Sequence, residues 1–371
     1  MSKIDIQKNS PKALYLHVPF CSSICAYCDF SRVNYNESIT DKWLTQITNE
    51  VNEISSNKLD TLYIGGGTPT SLHYAQLEQL LILLSKFNVA KEYTIEINPE
   101  TLDVKKAMLL SKYGVNRASI GVQSFNDELL KLMGRSHTAD DISKCLQILN
   151  DLGITNISID LMYGLPTQTL DMLKADLLYA VTLPIEHVSI YSLTIEPNSK
   201  FGRTNVQQID NELETSMYEL AISILTSYGF EQYEISSFAK NKSYSKHNKM
   251  YWHYEDFYGV GLGASGKIGN IRYTNKYDFT AYFDGENSKE IVELSKEDMM
   301  FEYIMMGLRV NEGICIELFE KLFEVDFIIH YQKAIDSNVS KGLIVIENGM
   351  LKTTTDGMLL LHDVLVDFME E

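Results

Sequence analysis

The chain has 371 residues, of which 45% are hydrophobic, so it is long enough to bury one large core or two ordinary ones. Its net charge of −18 argues against nucleic acid as a partner, because a nucleic-acid-binding surface must be basic. No apolar run approaches ~18 residues, so we expect no transmembrane helix. Peripheral contact with a membrane is left open.

Cysteine usage indicates a reducing compartment. Of the five cysteines, three lie within eight positions, which does not resemble a disulfide framework. Residues 1–8 also lack the apolar core of a signal peptide. We therefore expect a cytoplasmic protein.

Short apolar runs alternate with longer amphipathic segments along the first half of the chain. This alternation predicts parallel strands joined by helices, which is an α/β fold. The predicted strands are Leu14–Val18, Thr61–Ile64, Tyr93–Ile97, Arg117–Val122, Ile157–Met162 and Val188–Leu193. The predicted helices are Ile39–Ile54, Tyr74–Phe87, Val104–Tyr113, Asp140–Leu152 and Leu170–Val181, where apolar residues recur every three or four positions.

Unusual residues follow nearly every predicted strand rather than a single one, which favours a barrel over a doubly wound sheet. Only six strand–helix units are recognisable in the sequence, so we expect a partial, open (β/α)6 TIM-like barrel. The strand-end residues are Gly65–Pro69, Glu96–Pro99, Gln123, Asp160 with Tyr163–Pro166, and Tyr191 with Thr194–Pro197.

The pattern changes after Pro197, and we expect three parts: the barrel (1–200), an aromatic-rich extension (201–296) and a C-terminal domain (297–371). The extension contains a helix over Asp210–Tyr228 and a glycine run, Gly259–Gly266. Because no βαβ pattern surrounds that run, it indicates a turn-rich connection rather than a dinucleotide-binding loop.

The C-terminal part reads as helices followed by a hairpin, which suggests a winged-helix-like domain. It carries 15 acidic and 5 basic residues from Glu297 onward, the opposite of what phosphate contacts need. A structural or protein-contact role is therefore favoured over DNA binding. The predicted elements are helices Asp298–Leu308, Cys315–Phe323, Phe327–Ser337 and Gly357–Met369, and strands Leu343–Ile346 and Met350–Thr353.

The segment most informative about chemistry is the loop after the first predicted strand, which holds Cys21, Cys25 and Cys28. No later CxxC pair exists to complete a zinc site with four cysteines. An iron–sulfur cubane tolerates three protein ligands if one iron is left for an outside ligand. The alternative is three buried small hydrophobic residues, which the close spacing disfavours.

This CxxxCxxC spacing resembles the signature of the radical S-adenosylmethionine superfamily. The resemblance implies a [4Fe–4S] cluster on Cys21, Cys25 and Cys28, whose free iron binds the amino and carboxylate groups of S-adenosylmethionine. Reduction of such a cluster generates a 5′-deoxyadenosyl radical, and this chemistry belongs to the cofactor. Phe20, Tyr27 and Phe30 are expected to limit water near the cluster.

Further positions match the family pattern. Gly65–Pro69, which we call the glycine segment, is expected to offer free backbone N–H and C=O groups to the methionine end of the nucleotide. A tight turn without a ligand is the alternative. Carboxylates are expected to accept hydrogen bonds from ribose hydroxyls and the ammonium group, and Arg135 to pair with the carboxylate. Taken singly, each is an ordinary strand-end polar group. The predicted contacts are Tyr15, Gly66, Gly67, Thr68, Glu96, Gln123, Arg135 and Asp160.

From Ala13 onward the chain resembles the oxygen-independent coproporphyrinogen III oxidase-like group, and within it the heme chaperone branch. The decarboxylase branch has a fourth cysteine two positions after the third, where this chain has Phe30. It also has a longer segment before the cysteines. Both departures favour the chaperone branch.

The chaperone branch carries an HNxxYW motif, present here as His247–Trp252. A histidine or tyrosine can bind heme iron, and aromatic side chains can cover a porphyrin face. Local hydrogen bonding by His247, with Tyr251 and Trp252 packed on the barrel, is an equally weighted alternative. His253 and Tyr251 are weaker candidates for heme contact, and His17, near the cysteines, is expected to form hydrogen bonds rather than bind iron.

The leading hypothesis is therefore a heme chaperone that passes heme to an acceptor protein and retains the cluster and S-adenosylmethionine sites. Anaerobic oxidative decarboxylation of coproporphyrinogen III is the enzymatic alternative. A radical enzyme acting on another substrate is the third possibility.

Overall fold

The structure is a computed structural model that describes residues 10–284 and 288–369. Its strands are, in chain order, β1 (Ala13–Val18), β2 (Phe20–Cys21), β3 (Val33–Asn34), β4 (Lys58–Gly66), β5 (Asn88–Ile97), β6 (Arg117–Gln123), β7 (Asn156–Tyr163), β8 (His187–Ser192), β9 (Glu231–Glu234), β10 (Ser237–Ala239), β11 (Phe257–Val260), β12 (Ser265–Ile268), β13 (Ile271–Asn275), β14 (Lys289–Glu293), β15 (Ile314–Cys315), β16 (Ile344–Glu347) and β17 (Met350–Thr353).

The helices are α1 (Glu37–Glu53), α2 (Tyr74–Leu84), α3 (Val104–Lys112), α4 (Asp127–Met133), α5 (Ala139–Asp151), α6 (Leu170–Ala180), α7 (Lys200–Arg203), α8 (Asn211–Ser227), α9 (Lys246–Trp252), α10 (Phe279–Phe283), α11 (Lys296–Gly307), α12 (Ile316–Phe323), α13 (Phe327–His330), α14 (Gln332–Ser340), α15 (Thr355–Leu359) and α16 (Leu361–Met369). Two short 3₁₀ turns, Pro69–Ser71 and Pro99–Thr101, follow β4 and β5. None of the described helices is long and apolar enough to cross a membrane.

The six predicted strands are confirmed as the parallel centre of one large sheet. They lie in the order β1-β4-β5-β6-β7-β8, and each neighbouring pair runs parallel. Helices between them cover the sheet with buried leucines and isoleucines, such as Leu77, Leu80 and Leu81 of α2. The α/β fold with a partial barrel is therefore confirmed, and within the described residues the pairing does not join the two ends of the sheet.

The extension contributes more to the sheet than the sequence indicated. The sheet has twelve strands, and β9 to β14 supply its two flanks. On one flank, β11 pairs in parallel with β1, and β12, β13 and β14 follow in antiparallel order. On the other flank, β10 and β9 follow β8. The glycine run links β11 to β12 with no helix after it, so it is not a dinucleotide-binding loop, but its ends are strand rather than turn.

The C-terminal part has a core of its own, formed by aromatic residues such as Phe319, Phe327 and Tyr331. A three-stranded sheet, β15-β17-β16, accompanies its helices. Two helices predicted as continuous are each split: the first at Tyr331, between α13 and α14, and the second at Leu360, between α15 and α16. The division into three parts stays a prediction. The separate core supports the last boundary, whereas the extension shares the sheet of the barrel.

Candidate functional site

The three predicted cluster cysteines line one cavity of about 370 Å³ at the carboxyl ends of the parallel strands. We call this end of the barrel the rim. Gly66, Gly67, Thr68, Glu96, Gln123, Arg135 and Asp160 line the same cavity, so seven of the predicted nucleotide contacts surround the cysteines. A volume of this size is in the range of small-molecule sites.

The cysteine loop is held from three sides by backbone hydrogen bonds. Ala26 N–H donates to the carbonyl of Met133, and Ala26 O accepts from Phe201 N–H, at 2.8 and 2.9 Å. Thr68 N–H donates to the carbonyl of Phe20 at 2.8 Å, which ties the loop to the glycine segment. The loop is therefore fixed by the rim itself.

The glycine segment approaches the cysteines closely. A Cβ on Gly67 would lie 2.8 Å from Cys21 Sγ and 2.7 Å from the carbonyl oxygen of Phe20, and a Cβ on Gly66, whose φ is +115°, would meet the His17 ring at 2.7 Å. Only glycine fits at these two positions.

The N–H groups of this segment are used inside the protein. Gly66 N–H donates to Glu96 Oε2 at 2.9 Å, and the N–H groups of Gly67 and Thr68 donate to Val18 and Phe20. The expectation of free N–H groups here is therefore wrong, because strand pairing and the cysteine loop consume them. The segment is left with carbonyl oxygens, which suit an ammonium group and not a carboxylate.

A chain of polar contacts connects the glycine segment to Cys25. Asn98 Nδ2 donates to Thr68 Oγ1 at 2.9 Å, and Arg135 Nη2 donates to Asn98 Oδ1 at 2.9 Å. Arg135 Nη1 lies 3.6 Å from Cys25 Sγ, while its buried Nε has no partner among the described residues. Arg135 thus places a positive charge beside a cluster cysteine with a donor to spare.

Asn98 was not predicted as a contact separate from Glu96. It lies two positions after Glu96 on β5 and its loop, so both side chains face the same side by the two-residue repeat of a strand. That periodicity was the available signal.

Two acidic side chains of the cavity hold their protons more tightly than usual. Burial raises the pKa of the Glu96 carboxyl to about 7, although the hydrogen bond from Tyr63 OH, at 2.8 Å, opposes the shift. Burial likewise raises the pKa of Asp160 to about 6, with the Arg117 charge opposing it. Perturbed carboxyl groups in a cleft are typical of ligand sites.

Gln123 ends β6 in a conformation that few residues with a side chain adopt, with φ of +68°. The register between β6 and β7 shifts between Gly121 and Gln123. Such local irregularity is typical of functional positions and turns Gln123 into the cavity.

The aromatic residues around the cysteines divide between the cavity and the core. Tyr27 and Phe30 line the cavity, and Phe30 is 63% exposed at its mouth. Phe20 is fully buried and packs edge-to-face on Trp43 with ring centroids 5.5 Å apart. The expectation that Phe20 limits water at the cluster is therefore wrong, because adjacent residues of β2 face opposite sides.

Tyr15 and His247 line a second, neighbouring cavity of about 340 Å³, and Tyr63 and Glu96 border both cavities. Tyr15 OH bonds His17 Nδ1 at 2.9 Å, and His17 Nε2 donates to the carbonyl of Ser31 at 2.7 Å. Both nitrogens of His17 are therefore engaged, as expected for a hydrogen-bonding role. Tyr15 reaches the cysteine loop through His17.

The HNxxYW motif forms helix α9, which is bonded to Thr61 of β4 and Glu92 of β5 and whose Asn248 lines both cavities; we call it the plug helix. His247 is 1% exposed. Its Nδ1 bonds Thr61 Oγ1 at 2.9 Å, and its Nε2 bonds Tyr251 OH at 2.6 Å. At the start of the helix, Glu92 accepts from the N–H groups of Lys246 and His247, at 2.9 and 3.0 Å. Burial lowers the pKa of His247 to about 3, so its ring is neutral.

The donor set fits an iron–sulfur cluster better than a single metal ion. In the described part of the chain, no three candidate ligands come close enough together to hold one ion. A cubane spreads its ligands over several irons, as three separated thiols on one cavity wall allow. Burial raises the pKa of the Cys21 thiol to about 11, so metal binding at this position must release a proton.

Comparison with known proteins agrees with this geometry. The radical SAM superfamily profile matches residues 15–180, and the HemN C-terminal domain profile matches residues 294–360. The heme chaperone HemW of Lactococcus lactis is 36% identical over 97% of both chains, and that of Bacillus subtilis is 35% identical over 97% of this chain and 100% of its own.

Among solved structures, the coproporphyrinogen III oxidase HemN of Escherichia coli, described as a radical SAM enzyme, aligns with a TM-score of 0.85. The alignment covers 96% of this chain and 90% of that one at 23% identity, and it therefore shows a shared fold. The full-length similarity to the chaperones is closer in sequence. The chain belongs to the HemW family of the radical SAM superfamily.

Proposed function

We propose that this protein is a heme chaperone, which binds heme and passes it to an acceptor protein while carrying a [4Fe–4S] cluster and an S-adenosylmethionine site. The observation that carries the proposal is the 36% identity, over 97% of both chains, to a protein named as a heme chaperone. The rim described above supports the two cofactor sites.

Cys21, Cys25 and Cys28 would hold the cluster, since their thiols line one cavity beside the Arg135 charge. When bound, the cluster and S-adenosylmethionine supply one-electron chemistry. The thiols themselves must lose protons to bind iron, and burial, which raises the pKa of the Cys21 and Cys28 thiols, makes that loss depend on the metal.

The other rim side chains would bind and orient the nucleotide. The carbonyl oxygens of Gly66 and Gly67 suit its ammonium group, whereas that of Thr68 already accepts a hydrogen bond from Ser71 N–H. Glu96 and Asp160 offer carboxylate acceptors for ammonium or hydroxyl groups, and Gln123 offers an amide. Arg135 keeps an unpartnered Nε and can bind a carboxylate.

Decarboxylation of coproporphyrinogen III is the alternative, and the fold shared with HemN keeps it open. Phe30 argues against it. The decarboxylase pattern has a cysteine at this position, whereas here an exposed phenyl ring lies at the mouth of the cavity. The cluster would still have three protein ligands, so the change affects the cavity entrance more than the cluster.

Heme contact by His247 remains a prediction, and it requires a change in the hydrogen bonds of this residue. Both ring nitrogens have hydrogen-bond partners and the ring is buried, so iron ligation requires that the bond to Thr61 or Tyr251 break. His253, next to the motif, is more accessible but pairs with Glu312 at 2.9 Å. Neither residue is a free ligand in this conformation.

The acceptor protein is unidentified, and we propose that transfer takes place in the cytoplasm. All five cysteines are free thiols in the structure, which suits a reducing compartment.

The test is anaerobic reconstitution of the cluster followed by titration with heme, monitored by the Soret band. The proposal predicts saturation near one heme per chain. A parallel assay supplies coproporphyrinogen III, S-adenosylmethionine and a reductant. Formation of protoporphyrinogen IX together with 5′-deoxyadenosine, without stoichiometric heme binding, would establish the alternative.

The same titration on His247→Ala tests the contact to heme. Thr61→Val is the matched control, because it removes one hydrogen bond of the same histidine and keeps the imidazole. Loss of heme binding in His247→Ala alone supports ligation. Equal loss in both variants assigns the effect to the fold of the plug helix.

A further inference from the structure

A buried arginine, Arg117, lies in the cavity without a counter-ion. It opens β6, where it pairs in register with Thr94 of β5 and Asn156 of β7. Its side chain is 2% exposed and lines the same cavity as the three cysteines. The inward orientation of Arg117 was not predicted from the sequence, because a basic residue at the start of a strand usually faces water.

The guanidinium group of Arg117 has no hydrogen bond and no ion pair with any residue that the structure describes, and its buried Nε is among the donors without a partner. Burying such a charge without partners is costly, and native proteins rarely leave one so. Glu96 and Asp160 feel its charge, since it lowers the pKa of both carboxyls against the effect of burial, but neither forms an ion pair with it. The donors of Arg117 are therefore available to a ligand in the cavity.

The surroundings favour a carboxylate over a phosphate as that ligand. A carboxylate matches the planar fork of a guanidinium and carries a single negative charge. A phosphate dianion would meet repulsion from Glu96 and Asp160, which line the same cavity. The glycine segment cannot substitute for Arg117, because its N–H groups already donate within the protein.

We propose that Arg117 is a carboxylate-binding residue inside the barrel. The carboxylate can come from two sources: the methionine end of S-adenosylmethionine, which Arg117 would then bind together with Arg135, or a propionate side chain of a tetrapyrrole. The second source rests on the proposed function, whereas the carboxylate site itself does not.

The experiment compares wild type, Arg117→Gln and Arg117→Lys, with the exposed Arg203→Gln as the control. In the first arm, the Tm of the reconstituted protein is measured in sodium propionate and in sodium chloride of equal ionic strength. Wild type and Arg203→Gln should be stabilised by propionate beyond the effect of chloride, since a ligand that binds only the folded state raises Tm. Arg117→Gln should lose this increment, and Arg117→Lys should keep part of it.

Two further arms identify the source. If the methionine carboxylate binds Arg117, the affinity for S-adenosylmethionine falls about tenfold or more in Arg117→Gln, while that for 5′-methylthioadenosine, which lacks the carboxylate, does not change. If a propionate binds there, wild type prefers heme to heme dimethyl ester by a similar factor, and Arg117→Gln loses the preference.

The outcomes separate this proposal from the proposed function. A propionate effect in wild type that Arg117→Gln loses, without heme binding, supports the carboxylate site and overturns the chaperone. Heme binding with equal affinity for the ester and no propionate effect supports the chaperone and overturns the site. If Arg117→Gln is merely less stable and responds to every ligand as wild type does, Arg117 is an internal counter-ion and the proposal is wrong. Should that variant fail to fold, absence of a propionate effect in wild type overturns the proposal by itself.

Discussion

The rim and the plug helix are both polar, but they use their polar groups differently. In the plug helix, His247 has hydrogen-bond partners on both ring nitrogens, whereas the buried Nε1 of Trp252 has none among the described residues. His187, at the start of β8, also uses both nitrogens, bonding Ser158 at 2.7 Å and Tyr233 at 2.8 Å. At the rim, Arg135 keeps a donor without a partner within the described residues. A saturated network stabilises a fold, whereas unsatisfied buried donors indicate a place for a ligand. In this conformation the difference leaves Arg135 with a donor for a ligand, whereas the ring of His247 supports the fold.

The cysteines give the largest expected effect at the rim. Cys25→Ala should abolish most of the iron content of the reconstituted protein, because two thiolates cannot hold a cubane stably. Cys315→Ala is the matched control and should bind iron as wild type does, since Cys315 lies in β15, far along the chain from the rim. The measurement is iron and sulfide per chain. Full loading of Cys25→Ala would remove this cysteine from the cluster.

Without heme, a change in the plug helix should show itself in the stability of the protein. His247→Ala removes two buried hydrogen bonds and leaves the hydroxyl groups of Thr61 and Tyr251 unpaired, so the free energy of unfolding should fall by about 2–4 kcal/mol. Urea denaturation of the cluster-free protein measures it. A variant as stable as wild type would show that these bonds contribute little to stability. It would then contradict the structural role given to His247.

A smaller, pH-dependent effect is expected at Glu96, where the folded state favours the protonated carboxyl. Its pKa is about 7, above the ordinary value near 4.5. The stability that this protonation contributes is therefore fully present below about pH 4.5 and is lost as pH rises through 7. Glu96→Gln cannot ionise, so at pH 8 the cluster-free variant should be more stable than wild type by about 1–2 kcal/mol, while near pH 5 the two should be similar.

Urea denaturation at both pH values, without cofactors, tests this. A difference between variant and wild type that does not change with pH would assign the effect to lost hydrogen bonds with Tyr63 and Gly66 instead. The same variant should bind S-adenosylmethionine more weakly, since it loses an acceptor charge.

The sequence predicted the rim well, because its residues follow strands whose apolar runs are easy to recognise. Glu96, Gln123 and Asp160 each lie in the carboxyl-terminal half of a parallel strand, and parallel strands bring these halves together. The flanking strands were missed for the opposite reason. The strands β9 to β13 have only three to five residues each, which is too short for a clear apolar pattern. In addition, β11 pairs with β1, which is far away in the sequence, and such a pairing cannot be predicted from a local pattern.

The direction of individual side chains was the other feature that the sequence did not predict. Phe20 adjoins a cluster cysteine in sequence but points into the core, and Arg117 begins an apolar strand but points into the cavity. Both follow from strand alternation once the register is known. In the plug helix, the HNxxYW motif indicated the family, but only the structure shows that both ring nitrogens of His247 have hydrogen-bond partners.

The pairing of β1 with β11 has a consequence for synthesis of the protein. β1 leads directly into the cysteine loop, yet one of its two neighbours is made only after the other parallel strands have been completed. Contacts so distant in sequence form slowly, because the ordering entropy is paid before they stabilise the fold. Until then β1 is an edge strand of an unfinished sheet. We expect the cysteine loop to be fixed only after β11 has been made, so cluster insertion should follow synthesis of the chain up to Val260.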